Sequence, residues 1–156
     1  MEKVHIEDVD SRIGPADVKR PLTRALGTEE VSLNYYELEP GESFAYGYHS
    51  HEKQEEVFYL IEGTVTFETS EANVEVGPGE AIRFAPGESQ RGVNTGEERA
   101  VALAIGAPQD AGNLHMIREC VNCGFRTPNS IDLVEDGEAV VTICLECGME
   151  TGRYTE

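Results

Sequence analysis

The sequence predicts an all-β protein in which a sandwich or small barrel of short strands is followed by a small hairpin module. From residue 31 onward, β-rich segments alternate with turn residues every 8–12 residues or so, and no helical period lies between them. Four cysteines form two C-x-x-C pairs separated by 20 residues, and all four lie in the last quarter of the chain. The length of 156 residues suffices for one domain with a smaller module appended to it.

Turn residues divide the predicted barrel, residues 31–107, into short strands. Pro40-Gly41, Glu62-Gly63 and Pro86-Gly87 are pairs of the kind that end a strand and reverse the chain. The expected strands are 31–38, 43–51, 56–61, 64–69, 73–76, 81–84, 90–94 and 99–105. Short strands at this spacing are typical of a sandwich or small barrel.

The sequence patterns predict less about the structure of the segments that flank the barrel. Residues 1–30 form an N-terminal segment that holds either a short helix at 15–20 or an edge strand, and no chemical role is assigned to it. The segment 108–117 contains Gly, Pro and polar residues and is expected to be a linker. Residues 118–156 carry the cysteines and end in a tail.

The charge balance is strongly acidic. Thirty Asp and Glu residues against 12 Lys and Arg residues give a formal net charge of −18. Such a charge repels phosphate backbones, so binding of nucleic acid is disfavoured. The composition, with only three lysines, resembles that of proteins from salt-accumulating halophiles such as haloarchaea. The alternative is an acidic surface that serves only solubility.

The chain lacks the patterns of membrane and secreted proteins. Its longest apolar stretch without a charge, 100–108, is far too short to span a bilayer. The first residues show no apolar segment behind a basic start, which a secretory signal would require. We therefore expect a soluble, cytoplasmic protein without membrane contacts.

Two histidines and a glutamate form the first candidate site. His49 and His51 are two residues apart, so a strand presents both imidazoles on one face. Glu56 opens the next expected strand, whose antiparallel partner can return the carboxylate to that face. Two imidazoles and one carboxylate with open positions suit Fe(II) and related divalent ions. An isolated H-x-H pair, by contrast, is often a surface accident.

The segment 40–94 resembles a cupin, a small antiparallel β-barrel of the jelly-roll type. The first cupin motif, G-x5-H-x-H-x3,4-E-x6-G, is matched in its latter part by His49, His51, Glu56 and Gly63. Its opening matches less well, because seven residues separate Gly41 from His49. Glu55 is a competing ligand, but only Glu56 leaves six residues before the motif's last glycine.

The second cupin motif, G-x5-P-x-G-x2-H-x3-N, is matched in spacing by Gly79, Gly87 and Asn94. Ala85 stands at the proline position, and Gln90 stands where the family has its last metal-binding histidine. The resemblance implies a barrel site for Fe, Mn, Ni or Zn at His49, His51 and Glu56, with Gln90 as a weak fourth ligand or an orienter of bound water. It does not imply a reaction.

The surroundings of this site are predicted from strand parity and charge. The face shared with the metal is expected to include Glu56, Phe58, Leu60, Gln90 and Asn94. Tyr46, Tyr48, Phe67 and Phe84 are nearby aromatic residues whose facing is open. Arg83 and Arg91 flank the second motif, so either is a candidate for steering an anionic substrate, or it pairs with neighbouring carboxylates.

The cysteines form the second candidate site. Cys120 and Cys123, like Cys144 and Cys147, are spaced so that one tight turn presents both sulfurs to a single ion, and each pair is followed by a glycine. Two such turns close a tetrahedral S₄ site, which suits structural Zn²⁺ better than rubredoxin-like iron or a redox dithiol. The segment 118–150 resembles a zinc ribbon. Its β-hairpin is expected to pair strands 131–134 and 139–143.

The charge of the cysteine module indicates the kind of partner it would take. Residues 112–156 contain three Arg and Lys residues against eight Asp and Glu residues, with no basic patch for nucleic acid. A protein partner docked through the ribbon, or a homodimer, fits this composition better.

Two functions are consistent with the sequence. The first is a divalent-metal-binding cupin that acts on a small polar metabolite as a metal-dependent oxygenase or isomerase. The second is a non-catalytic module that senses a small ligand or metal while its ribbon docks a protein partner. No catalytic residue is identified, because no general acid or base stands out near the metal ligands, so enzyme status stays open.

Overall fold

The computed structural model describes all 156 residues and consists mainly of β-strands, which confirms the predicted all-β class. The strands are β1 (Val18–Pro21), β2 (Ser32–Leu38), β3 (Tyr48–His51), β4 (Glu55–Glu62), β5 (Val65–Thr69), β6 (Asn73–Val76), β7 (Ala81–Phe84), β8 (Gln90–Val93), β9 (Ala100–Ala107), β10 (Leu114–Cys120), β11 (Phe125–Val134), β12 (Ala139–Cys144) and β13 (Glu150–Thr155). One short α-helix, α1 (Leu22–Leu26), follows β1, and single 3-10 turns lie at Ile6–Asp8 and Glu135–Gly137.

Two sheets form the molecule. Five strands are ordered β1-β2-β9-β4-β7, and eight are ordered β13-β12-β11-β10-β3-β8-β5-β6. Every pairing between neighbouring strands is antiparallel. The expected strand 43–51 is shorter than predicted, because only Tyr48–His51 forms a regular strand.

The hydrophobic core contains side chains from both sheets. Alternate residues of each strand face inward, and the aromatic rings among them contact one another, with 4.7 Å between the ring centroids of Phe44 and Phe58. Phe67 and Phe84, whose facing the sequence left open, both point into this core. The core cluster comprises Ala16, Tyr36, Leu38, Phe44, Phe58, Leu60, Val65, Phe67, Val76, Phe84, Ala100, Ala102 and Ala104.

Strand β9 contributes only small residues to the interior. Ala100, Ala102, Ala104 and Gly106 alternate along its inward face, so they fill little of the space between the sheets. At Gly106 the side chain of Gln54 lies so close that an added Cβ would be 2.5 Å from its Cδ. The three alanines belong to the packed core, and Gln54 fills the space at Gly106.

The N-terminal segment adds an edge strand to the barrel. β1 pairs with β2, and Lys19 lies directly opposite Tyr36. Pro21 ends β1, which is tolerated because an edge strand needs no donor on its outer side. Of the two alternatives for this segment, the edge strand is therefore present and the helix at 15–20 is wrong; the short helix begins only at Leu22.

The predicted linker at 108–117 differs from the structure over its second half. From Leu114 the chain forms β10, which pairs with β3 on one side and with β11 on the other. Met116 lies opposite His49 and is 4% exposed, so its burial favours the strand over a free linker. The boundary expected at 117/118 thus falls inside a strand, and the cysteine module continues the barrel sheet.

Arg118 also joins the module to the barrel. Its guanidinium donates to the carbonyl of Tyr46 on the barrel side. On the module side it donates to the Tyr154 hydroxyl at 2.9 Å and to the Thr151 carbonyl at 3.0 Å. Strand β10 and this arginine hold the two parts of the chain together.

The packing of the core predicts the effect of one glycine substitution. A Cβ at Gly92 would lie 2.6 Å from Phe67 Cε1 and 2.7 Å from Phe44 Cδ2, so Gly92→Ala forces the rings apart. We expect a loss of about 1–3 kcal/mol in the free energy of unfolding, measured by equilibrium urea denaturation. Gly96→Ala is the control, because its nearest contact would be Asn94 Oδ1 at 3.4 Å. An equal loss in both variants would contradict this account.

Candidate metal centres and the barrel cavity

Strand β3 places both histidines at the interior of the barrel. His49 is 7% exposed, and its Nδ1–H donates to the Gly47 carbonyl at 2.9 Å, which leaves Nε2 as the nitrogen that carries a lone pair. The His51 ring lies beside it, with 5.1 Å between the ring centroids. Burial lowers the pKa of His49, so the ring stays neutral and able to bind a metal ion at pH 7.

Glu56 completes the group from strand β4. Its Oε2 lies 3.3 Å from His51 Nε2, and the ligand atoms of His49, His51 and Glu56 all lie within 4.8 Å of one another. The same Oε2 is buried and has no hydrogen-bond donor. Glu55 points away from this group and pairs with Arg83 at 2.6 Å.

Gln90 lies on β8 directly opposite His49. It is 2% exposed, and its Nε2 lies 3.4 Å from His49 Nε2. The Gln90 Oε1 is buried without a hydrogen-bond partner, like the Glu56 Oε2. Buried oxygens without partners are rare in folded proteins because each has lost its water. Of these two oxygens, the Glu56 Oε2 lies with the imidazole nitrogens in the arrangement that a divalent cation requires, whereas Gln90 turns its Nε2, a donor, toward His49.

A cavity of about 320 Å³ opens onto the histidine–glutamate group. His49, His51 and Glu56 lie in its wall together with apolar residues, neutral polar residues and one lysine. The lining residues are Lys19, Ser32, Asn34, Tyr36, Phe44, Ala45, Tyr46, His49, His51, Gln54, Glu56, Phe58, Gln109, Ala111, Leu114, Met116 and Ile131. This cavity combines an apolar wall with convergent polar groups, as small-molecule sites do.

Two members of the predicted inner face have structural roles. Leu60 is fully buried in the core and does not line the cavity. Asn94 is also fully buried, and its amide donates to the carbonyls of Leu38 and Glu98 at 3.0 and 2.8 Å. The last residue of the second motif therefore fixes the loop after β8, while Phe58 and Glu56 reach the cavity.

Arg83 and Arg91 were the candidates for steering an anionic substrate, and neither of them lines the cavity. On β7 the Phe84 side chain points inward, so Arg83 points outward, where it pairs with Glu55. On β8 the inward residues are Gln90 and Gly92, so Arg91 between them faces the other side of the sheet. Strand alternation thus contradicts the steering role proposed for Arg83 and Arg91.

Lys19 is the cavity residue that sequence reasoning missed. It lies opposite the inward-facing Tyr36, so its side chain shares that face, and its Nζ lies 5.7 Å from the centroid of the Tyr36 ring. Burial lowers the pKa of this lysine. No motif marks Lys19; its role depends on the pairing of β1 with β2, which short-range patterns do not specify.

The four cysteines converge on one point at the end of the module. Their sulfurs lie within 4.8 Å of one another, with 3.6 Å between those of Cys120 and Cys147 and 3.9 Å between those of Cys123 and Cys144. A disulfide needs about 2.0 Å, whereas Zn–S bonds of about 2.3 Å at tetrahedral angles separate sulfurs by about 3.8 Å. The geometry fits a closed S₄ metal site.

The two C-x-x-C turns have the same backbone structure. The N–H of Gly124 donates to the Cys120 carbonyl at 2.8 Å, and that of Gly148 donates to the Cys144 carbonyl at 2.8 Å. Both glycines have positive φ, 82° and 78°, which disfavours a side chain there. The glycine that follows each pair in the sequence is the residue type that this left-handed conformation favours.

A buried threonine favours the thiolate form at one cysteine. The Thr127 hydroxyl lies 3.0 Å from Cys144 Sγ, and this hydrogen bond lowers the pKa of the thiol to about 6. The backbone N–H of Met149 acts in the same direction on the pKa of Cys147. Metal ligation requires the thiolate, so these donors suit an ion at the cluster.

Comparison with known proteins agrees with the fold. Residues 34–106 match the family described as the cupin domain. The barrel therefore has the cupin fold, and the predicted jelly-roll class is confirmed. The zinc-ribbon resemblance of the module remains a prediction. A search of curated proteins found no match.

Several solved structures are similar to this chain. A sugar phosphate isomerase of the cupin superfamily from Silicibacter pomeroyi is 21% identical, with a TM-score of 0.62 over 99% of this chain and 92% of that one. The polyketide cyclase RemF from Streptomyces resistomycificus is 27% identical, with a TM-score of 0.64 over 77% and 87% of the two chains. A predicted oxalate decarboxylase from Thermotoga maritima is 22% identical, with a TM-score of 0.59 over 68% and 98%.

No helix in the structure has both the length and the apolar character that crossing a membrane requires.

The cysteine cluster predicts a tightly bound metal. We expect one zinc ion per chain at this site in the purified protein, lost in Cys144→Ser because the S₄ set is then incomplete. Competition with a chromogenic chelator measures both the zinc content and the zinc affinity. Thr127→Val keeps four sulfurs but removes the hydroxyl beside Cys144, so zinc should bind about tenfold more weakly with unchanged stoichiometry. Full zinc retention in Cys144→Ser would contradict this assignment.

Proposed function

We propose that this chain is a metal-dependent cupin that binds a small oxygenated metabolite in its barrel and acts on it as an enzyme. The observation that carries the proposal is the convergence of His49, His51 and Glu56, whose ligand atoms lie within 4.8 Å of one another, with the Glu56 Oε2 buried and without a hydrogen-bond partner. Such a donor set is costly to bury unless a cation completes it. The ligands would be His49, His51 and Glu56, with Gln90 as the weaker fourth.

The cavity supports a small ligand. Its volume of about 320 Å³ is at the lower end of small-molecule sites. Phe44 and Phe58 form an apolar wall beside the metal-binding residues, which excludes water from the bound molecule. Gln54 lies over Gly106, where its amide donates to the Pro108 carbonyl at 2.9 Å, and so holds the loop before β10 against the cavity.

The metal and the residues divide the chemistry between them. A bound divalent ion supplies Lewis-acid polarisation of a ligand oxygen. The Gly47 carbonyl fixes the orientation of the His49 ring by accepting its Nδ1 proton. Isomerisation or oxidation of the metabolite is the reaction class that suits such a site, and the similar proteins named as an isomerase and a cyclase have the same fold.

A second candidate, a non-catalytic sensing module, is favoured by Gln90. A carboxamide stands where the cupin motif has an imidazole, so the site loses one basic group. Turnover of a panel of small hydroxy and oxo acids, followed by oxygen uptake and product analysis, separates the two functions. Metal-dependent turnover supports the enzyme; ligand binding without turnover supports the sensor. A homodimer, a protein partner at the ribbon, a cytoplasmic location and a halophilic source remain predictions.

Removal of one imidazole tests the barrel metal. We expect His49→Ala to bind Mn(II) at least about 100-fold more weakly than the unaltered protein, because a central ligand is lost. Isothermal titration calorimetry measures the affinity for Mn(II), in protein that retains zinc at the cysteine cluster. The matched control is His115→Ala, since His115 lies on β10 with an exposed side chain outside the cavity lining. Equal affinities in all three proteins would refute the barrel site.

The choice between adjacent glutamates gives a second test. Glu56→Gln removes the charge of a ligand and should weaken Mn(II) binding by about tenfold or more. Glu55→Gln removes the same charge from the neighbouring residue, which pairs with Arg83 on the outside, and should change affinity less than about twofold. The same calorimetric titration measures the Mn(II) affinity of both variants. A larger loss of affinity in Glu55→Gln than in Glu56→Gln would assign the ligand to Glu55.

A further inference from the structure

We propose that the ligand of the barrel cavity is a small organic acid whose carboxylate pairs with the Lys19 ammonium. The inference rests on the proposed function, since it names the substrate class of the same cavity. Lys19 is the specificity-determining residue for the negative charge, and it lies outside both cupin motifs.

The chain pairing fixes the place of this lysine. Lys19 lies opposite Tyr36 on β2, and Tyr36 lies opposite Ala102 on β9. Since directly opposed residues share a face, Lys19 projects from the inward face of the sheet. Among the 17 residues that line the cavity, it is the one Lys or Arg, and Glu56 is the one Asp or Glu.

Lys19 differs from the other basic residues without a carboxylate partner in its position. Four of the 12 Lys and Arg residues, Arg83, Arg99, Arg126 and Arg153, pair with at least one carboxylate, and of the other eight only Lys19 lines the cavity. Lys19 makes no ion pair, and its Nζ lies over the face of the Tyr36 ring. A partly buried cation without a counter-charge is unfavourable, and an anionic ligand would supply that charge.

The layout of the cavity indicates where the rest of the ligand lies. Glu56 belongs to the cross-strand row with Gly106 and Ser32, whereas Lys19 belongs to the row with Tyr36 and Ala102. The two rows are four residues apart along β2, about 13 Å between strand positions. A ligand held between the two side chains therefore carries its carboxylate at one end and further oxygens toward the metal-binding group.

A carboxylate fits this cavity better than a phosphate. A single ammonium is one point charge, whereas phosphate carries close to two negative charges and usually takes several donors or a bidentate arginine. The cavity offers no arginine, and Lys19 is the single Lys or Arg in its lining.

The experiment compares acids with their neutral amides. Glycolate, lactate, pyruvate and 3-hydroxybutyrate, each beside its amide, are titrated calorimetrically into the purified protein, whose metal content is measured by mass spectrometry. We expect at least one acid to bind, with its amide about tenfold weaker or more. Lys19→Met should lower the affinity for that acid by about tenfold and leave the amide unchanged. Lys19→Arg should keep most of the affinity.

Controls separate this inference from the proposed function. Lys3→Met makes the same change of net charge at an exposed residue outside the cavity, and should bind the acid normally. Amides that bind as well as acids, a Lys19→Met variant that matches the unaltered protein, or no binding of any acid would each overturn the inference. In each of these cases the proposed function still stands if the His49→Ala variant loses its barrel metal while the Lys19→Met variant retains it. A barrel without metal in the unaltered protein would refute the proposed function instead, while the acid–amide comparison would still decide the role of Lys19.

Discussion

The pairing of strand β3 on both of its edges is the constraint on which the rest of the structure depends. This strand is four residues long, yet it pairs with β8 through His49 and Gln90 and with β10 along its whole length. The first pairing brings the imidazoles and the carboxamide together. The second attaches the cysteine module to the barrel. One short strand therefore organises the barrel site and joins the two parts of the chain.

The interior of the barrel contains a packed apolar core at one end and buried polar atoms without partners at the other. Five aromatic rings and several aliphatic side chains exclude water from the core end of the barrel. At the other end, two buried oxygens have no donor, and each such atom costs about 1–3 kcal/mol. A fold selected for stability alone would place apolar residues there. A cation bound there would recover much of this cost.

A feature of this structure could be predicted from the sequence when residues close together in the chain determine it. The strands and the ligand spacing of His49, His51 and Glu56 are local patterns, so they could be read directly. Closeness to the second motif made Arg83 and Arg91 candidates for steering an anion, but strand alternation turns them outward, and Arg83 pairs with a carboxylate, which was the alternative. Lys19 and the entry of β10 into the barrel sheet depend on pairings between segments far apart in the chain, which no local pattern encodes.

The row of small residues along β9 has a consequence for how such a protein can diversify. This strand lies between β2 and β4, and it supplies no metal ligand and no charge. Its alanines belong to the core cluster with Tyr36, Phe44 and Phe58, whose rings also line the cavity, so exchanging one alanine for a valine would reshape the cavity by displacing those rings. Selectivity by molecular size can thus change over evolutionary time without altering the chemistry of the centre.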